Sequence, residues 1–351
     1  MNYLRACILA FGGYYFGYEV GIMNPMATPL GKFVYKLEGS ALDSFLSNVN
    51  SFFTLGALVA VGLAGPLSNT IGRVRWLIIL EVIAVGFGYV YTIENTTALY
   101  VARAVSGVIA GSNGALGLVT ISEMFPSVIA GFSGLFLYIV LTSFILITSL
   151  LRPILKNDDE KLADNWRLIM LIPSFVGAVR LTLLLLLFKF GAYESPGYLF
   201  ANLRGESKAV KLRKKLSEWF SNVYLQNCVD AKTDKAIEDF REAQQKDEPT
   251  FVALFTSTYR YRFAICCFLN IMQQMSGINF LIFFSTKIFD KISGNGSLMT
   301  LVIAISNIAG GVVGSFTVGK LGRKFNLVYG PFVQAVSFGI LSLGKVGKNL
   351  L

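Results

Sequence analysis

The sequence predicts an all-α integral membrane fold crossed by about nine helices, each of a length that spans a bilayer. Three observations predict it. Hydrophobic residues make up 54% of the 351 residues and charged residues 15%, with a mean hydropathy of +0.59, whereas an ordinary soluble domain carries about 25% charged residues. The apolar residues are gathered into runs of bilayer length. Between the runs lie short turns rich in glycine, proline and charge.

Composition also excludes whole classes of function. Ten of the 31 basic residues behind the net charge of +10 lie in one polar stretch between apolar runs, residues 204–248. No aromatic-interleaved basic patch accompanies it, so lipid headgroups and topology account for it better than nucleic acid does. The four cysteines, Cys7, Cys228, Cys266 and Cys267, have no metal-ligand or redox spacing, and there is no histidine. The commonest metal ligand and general base is thereby absent, and no nucleophile, base and oxyanion arrangement is visible. The reading is non-enzymatic, with no metal and no cofactor. The N-terminus enters its first apolar run within a few residues and shows no cleavage site, which predicts a retained span.

Span one, residues 4–25, carries a glycine-rich face around a lone carboxylate, Glu19. An ionisable group in a span is a functional candidate, with a buried structural ion pair as the plain alternative. Span two (residues 45–67) and span three (76–93) are joined by a short turn holding Gly65, Leu67, Asn69, Thr70, Gly72 and Arg73. Span four, residues 98–120, sets Arg103 ahead of a ladder of glycines suited to close helix packing. Arg103 needs a partner, and Glu19 is the candidate. Glu123 and Pro126 follow, then span five at 127–150, a polar stretch with Asp158, Asp159 and Glu160, and span six at 168–188 behind Trp166 and Arg167.

After Glu194, Ser195 and Pro196 the chain becomes charged over residues 204–248, which reads as short amphipathic helices or as a flexible linker. Span seven, residues 263–289, contains Gln273, Gln274, Ser276, Gly277 and Asn279. An unsatisfied amide in hydrocarbon costs on the order of 2–7 kcal/mol, so these groups predict a kinked, hydrogen-bonding wall, serving either a ligand or helix-to-helix adhesion. Span eight, residues 298–318, holds Asn307 and ends at Gly322 and Arg323, which repeat the Gly72 and Arg73 turn of the first half. Span nine covers residues 327–343.

These motifs, in this order, resemble the sugar porters of the major facilitator superfamily. The stretch Gln273 to Asn279 is similar to the porter signature QQxSGxN. Gly12 to Gly21 is similar to GGxxFGYDxGV, with Glu19 in place of Asp, and Gly65 to Arg75 to the loop motif GxLADRxGRR. Glu194, Ser195 and Pro196 match PESPRYL. The resemblance implies a major-facilitator-like bundle: a six-helix half (residues 1–190), an amphipathic linker on the cytoplasmic side (191–262) and an incomplete second half holding helices seven to nine (263–351). It implies that Gln273, Gln274, Asn279 and Asn307 contact a sugar and that Glu19 with Arg103 couples a proton. It assigns Gly72, Arg73, Glu123, Glu194, Gly322 and Arg323 to the gate and loop motifs.

The departures from the pattern are also specific. Asn69, Thr70, Ala130, Gly197 and Gly319 stand where the family places charge, leaving Glu123 without its nearest expected cation. Tyr138 replaces a sugar-contacting Gln, Phe283 and Phe284 replace a tyrosine pair, and three of the family's twelve helices lie beyond the sequence. Two functions follow as expectations. One is movement of a hexose-like solute by alternating access, either proton-coupled or by facilitated diffusion. The other is a transport-incompetent, transporter-derived structural subunit whose partners cover the missing helices. Expected partners are a sugar or related polyol, membrane lipid and other membrane subunits. The expected location is a multi-pass position in a plasma or organellar membrane, the mitochondrial inner membrane included.

Overall fold

The structure is a computed structural model and describes residues 2–125, 127–155, 158–188, 194–195, 198–199, 255–257, 259–293 and 295–350. All of its regular structure is helical. The first half comprises α1 (Asn2–Ala10), α2 (Gly13–Pro29), α3 (Gly39–Ile71), α4 (Arg73–Phe87), α5 (Thr96–Met124), α6 (Ser127–Ser149), the short α7 (Leu151–Ile154) and α8 (Asp159–Asp164), and α9 (Trp166–Leu187). The second comprises α10 (Arg260–Met275), α11 (Ile278–Ser293), α12 (Gly296–Leu321) and α13 (Arg323–Leu350). Among the described residues, eight stretches are long and apolar enough to cross a membrane, against the nine expected. The ninth expected span falls within α13. Most of the linker expected at 191–262 lies outside the described residues.

Local chemistry sets the boundaries. Asn95 starts α5 by accepting from the backbone N–H of Thr97 at 2.8 Å, which satisfies a donor that the helix itself cannot. Gly72 has φ of 119°, a left-handed value that lets α3 stop and α4 start within one residue. Gly322 does the same between α12 and α13 with φ of 84°, so the turn repeat seen in the sequence is also a repeat of backbone geometry. Spans one and seven are each discontinuous: α1 gives way to α2 at Phe11 and Gly12, and α10 to α11 at Ser276 and Gly277.

Two apolar clusters hold the first half together. One gathers Leu9, Tyr14, Leu77, Leu80 and Ile109; the other gathers Tyr18, Met23, Phe45, Val49 and Trp166. The glycine ladder of α5 lies against α3, where a Cβ at Gly107 would come within 2.0 Å of the Phe53 carbonyl oxygen. Only small residues permit that approach. Leu55, Leu58 and Val61 on α3 are exposed, the composition expected of a face that meets lipid tails.

Candidate functional site

Glu19 and Arg103 meet in the middle of the first half. Both are buried, at 2% and 0% exposure, and Arg103 Nη1 lies 2.7 Å from Glu19 Oε2. Arg103 also donates to the backbone carbonyls of Glu19 at 3.0 Å and Val49 at 3.2 Å, and its guanidinium stands over the Phe53 ring. The Tyr91 hydroxyl donates to Glu19 Oε2 at 3.0 Å and lies 2.7 Å from Ser106 Oγ, which in turn is 3.1 Å from the Tyr15 hydroxyl. The carboxylate therefore sits at the end of a hydrogen-bonded chain as well as beside a cation. The cation and the Tyr91 donor both favour the charged form of the carboxylate, against the cost of its burial.

The amides of span seven lie at its break. Asn279 Nδ2 donates to Gln274 Oε1 at 2.6 Å, tying the start of α11 to the end of α10 across Gly277. Gln273, Gln274 and Asn279 are exposed; the Gln273 carbonyl accepts from the Ser276 hydroxyl at 2.7 Å. Asn307 lies on α12. Its side-chain oxygen accepts from the Tyr138 hydroxyl at 3.1 Å. Gly311 makes that approach possible, because a Cβ there would come within 2.0 Å of the Tyr138 ring.

The loop motifs are joined within the first half. Arg73 forms a two-armed ion pair with Glu123, with Nε and Nη2 each 2.5 Å from a carboxylate oxygen, and Nη1 reaches Asn69 at 2.9 Å. Glu123 thus has a cation after all, from the turn of α3 and α4 rather than from position 130. Glu194 accepts from the backbone N–H groups of Val74 at 3.0 Å and Arg75 at 2.9 Å, an anion seated at the N-terminus of α4. Burial pushes the Glu194 carboxyl above its ordinary value, against the pull of those two donors. Thr70 turns its hydroxyl to the Pro66 and Leu67 carbonyls of its own helix. Gly322 shapes the second turn, and the Arg323 side chain lies outside the described residues.

Two groups of residues escaped the sequence reading. The first is a second buried ion pair, Glu81 on α4 with Arg180 on α9, both at 1% exposure or less. Tyr14 donates to Glu81 Oε2 at 3.0 Å, while Arg180 donates to the Ile8 carbonyl at 3.2 Å, an acceptor that the break in span one leaves open, and to the Leu9 carbonyl at 3.1 Å, which also accepts from Gly12 N at 3.2 Å. Charges inside spans three and six were the available signal, by the logic applied to Glu19. The second group is a buried polar interlock between the halves. Asn24 Nδ2 donates to Ser285 Oγ at 2.7 Å and Asn24 Oδ1 accepts from Thr286 N at 3.2 Å, with Thr300 Oγ1 within 2.9 and 3.0 Å of the two hydroxyls. Short hydroxyl side chains in an apolar run gave no comparable signal.

Membrane-length helices with discontinuous spans, buried charge pairs and amides at a break define a multi-pass membrane protein of the carrier type. The chain belongs to the family described as "Sugar (and other) transporter", whose model matches residues 5–350. It is 26% identical to the glucose transporter GlcP of Staphylococcus epidermidis, over 97% of this chain and 72% of that one. It is 26% identical to the major myo-inositol transporter IolT of Bacillus subtilis, over 100% of this chain and 73% of that one. It is likewise 26% identical to the facilitated glucose transporter member 2 of Gallus gallus, over 84% of this chain and 54% of that one. The fold is similar to that of the E. coli xylose transporter XylE in a partially occluded inward-open conformation, with a TM-score of 0.70, 20% identity and coverage of 92% and 74% of the two chains. A XylE structure with a bromodeoxyglucose bound gives a TM-score of 0.75 at 18% identity, covering 92% and 70%. Family membership places the chain among transporters rather than enzymes.

Proposed function

We propose that this protein moves a hexose-like solute across a membrane by alternating access, with residues 1–190 and 263–351 contributing to the two moving halves and 191–262 connecting them on the cytoplasmic side. The observation that carries the reading is the position of Gln274 and Asn279. They bond to each other at 2.6 Å across a break within a span, in a chain of the sugar transporter family. Backbone unwound at membrane depth is tolerated where it lines a wet cavity, and that is where carriers bind solute. Gln273 and Asn307 complete the wall. Glu19 and Arg103 couple a proton, since protonating the carboxylate removes the charge that Arg103 and Tyr91 hold and changes which conformation is favoured. Gly72, Arg73, Glu123 and Glu194 steady one end of the first half, and Gly322 with Arg323 does so for the second.

The test is uptake of labelled hexoses and inositols into proteoliposomes, with and without a pH gradient, against an Asn279→Ala control. Uptake above the control supports the reading; none for any sugar at any gradient overturns it. Thr70 favours the second reading, a structural subunit of a membrane assembly, because it replaces a gate charge and, among the described residues, bonds only within its own helix. Co-purification in fixed stoichiometry with other membrane subunits, together with absent uptake, would select that reading.

A further inference from the structure

Between α1 and α2 the backbone of span one is wound more tightly than an α-helix. Gly12 N donates to the Leu9 carbonyl at 3.2 Å and Tyr14 N to the Phe11 carbonyl at 2.9 Å. Both bonds reach back three residues instead of four, the pattern of a 3₁₀ turn. The Ile8 carbonyl, which Gly12 N would serve in a continuous α-helix, accepts instead from Arg180 Nε at 3.2 Å. Arg180 Nη2 reaches the Leu9 carbonyl at 3.1 Å.

Glu81 ties this contact to the far side of the break. One of its carboxylate oxygens pairs with Arg180, and the other accepts from the Tyr14 hydroxyl on α2 at 3.0 Å. Asn113 Oδ1, on α5, accepts from Arg180 Nη1 at 3.1 Å. Glu81, Arg180 and Asn113 are all at 2% exposure or less, so water does not compete for these bonds. Gly12 leaves room for the guanidinium, since a Cβ there would come within 2.6 Å of Arg180 Nη2. Its φ of −54° and ψ of −19° are 3₁₀ values within about 25° of those of an α-helix. A small rotation therefore separates the two windings.

We propose that Arg180 is a positioning residue for Glu19: held by Glu81, it keeps residues 9–14 in the tighter winding, and span one becomes a continuous helix when it withdraws. Rewinding turns α2 about its axis by about 20° for each residue converted. Tyr15 and Glu19 ride on α2, and their partners Ser106 and Arg103 stand on α5, so the turn moves the carboxylate against its cation. The clamp is thus a two-state element that biases the Glu19 and Arg103 pair. It rests on the carrier reading for what the movement serves.

The experiment is amide hydrogen exchange over residues 8–16, read by mass spectrometry on the purified full chain in nanodiscs. Gly12→Ala favours the continuous helix and displaces the guanidinium from the two carbonyls. Glu81→Gln combined with Arg180→Met removes the clamp and both of its charges together. Each variant should slow exchange over residues 8–16 by about fivefold, equivalent to about 1 kcal/mol, because α-helical bonds replace the poorer 3₁₀ ones. A merely structural contact, once lost, would loosen the helix and speed exchange. Slower exchange in either variant supports the proposal; exchange that is unchanged or faster in every variant that folds overturns it. Hexose uptake separates the two readings: its absence in wild type, with exchange slowed in the variants, counts against the carrier alone.

Discussion

The Tyr138 hydroxyl donates to the Asn307 side-chain oxygen at 3.1 Å, and this bond links α6 of the first half to α12 of the second. The contact takes one of the two lone pairs of that oxygen, so in the proposed carrier Tyr138 competes from the opposite half for an acceptor that a sugar hydroxyl would use.

Removing the hydroxyl should free that acceptor. Tyr138→Phe keeps the ring against Gly311 and deletes one hydrogen bond, with an expected loss of about 0.5–1.5 kcal/mol in stability and a gain in hexose affinity. Gly311→Ala should be the harsher change, because its Cβ would overlap the Tyr138 ring. Calorimetric hexose titration of both variants checks this. Weaker hexose binding in Tyr138→Phe would show that the hydroxyl contributes to the site.

Glu19→Gln should separate coupling from translocation. The amide fills the same space and still accepts from Tyr91, but it cannot exchange a proton. Proton-driven accumulation should be lost while exchange of labelled solute across equal concentrations continues. Arg103, with no carboxylate left, should also lower stability, by about 3–5 kcal/mol for a broken buried pair. Measuring uptake with and without a gradient, alongside thermal unfolding, distinguishes the two effects. Retained accumulation in Glu19→Gln would remove Glu19 from coupling.

How much of this was legible in the sequence depended on whether a feature was local. The Gly72 and Gly322 turns and the break at Gly277 follow from residues whose backbone preferences announce them, and all three glycines have positive φ. The meeting of Glu19 and Arg103 was legible because a membrane charge demands a partner and few were on offer. The break at Gly12 was not, since glycine within a span reads equally as close packing. The Asn24 interlock with Ser285 and Thr286 joins residues more than 260 positions apart and depends on how the halves meet. The pairing of Glu123 with Arg73 was missed because a cation was sought along the chain rather than across helices.

The Glu81 and Arg180 pair should matter for stability through its joint presence. Glu81→Gln leaves Arg180 an uncompensated buried cation, and Arg180→Gln leaves Glu81 likewise. Each single change should cost about 3–5 kcal/mol, and the double change less than the sum of the two. Arg180→Gln should be the worse single variant, since it also abandons the Ile8 and Leu9 carbonyls. Thermal unfolding of the four proteins in detergent completes the cycle. Additive losses would mean that the two residues act independently.

Glu194 gives the pH dependence a defined sign. Burial holds its carboxyl above the ordinary value, more strongly than the N–H groups of Arg75 and Val74 lower it. For a carboxyl raised on folding, the stabilisation is complete below the unfolded-state value of about 4.3 and is lost as pH rises through the folded-state value. Glu194→Gln imitates the protonated form and keeps one acceptor oxygen for the start of α4, so its stability should not follow that slope. The unfolding midpoint of the wild type should fall relative to the variant as pH is raised from about 4. A difference between the two proteins that stays flat with pH would show that the charged carboxylate is held at the N-terminus of α4 as readily as in water.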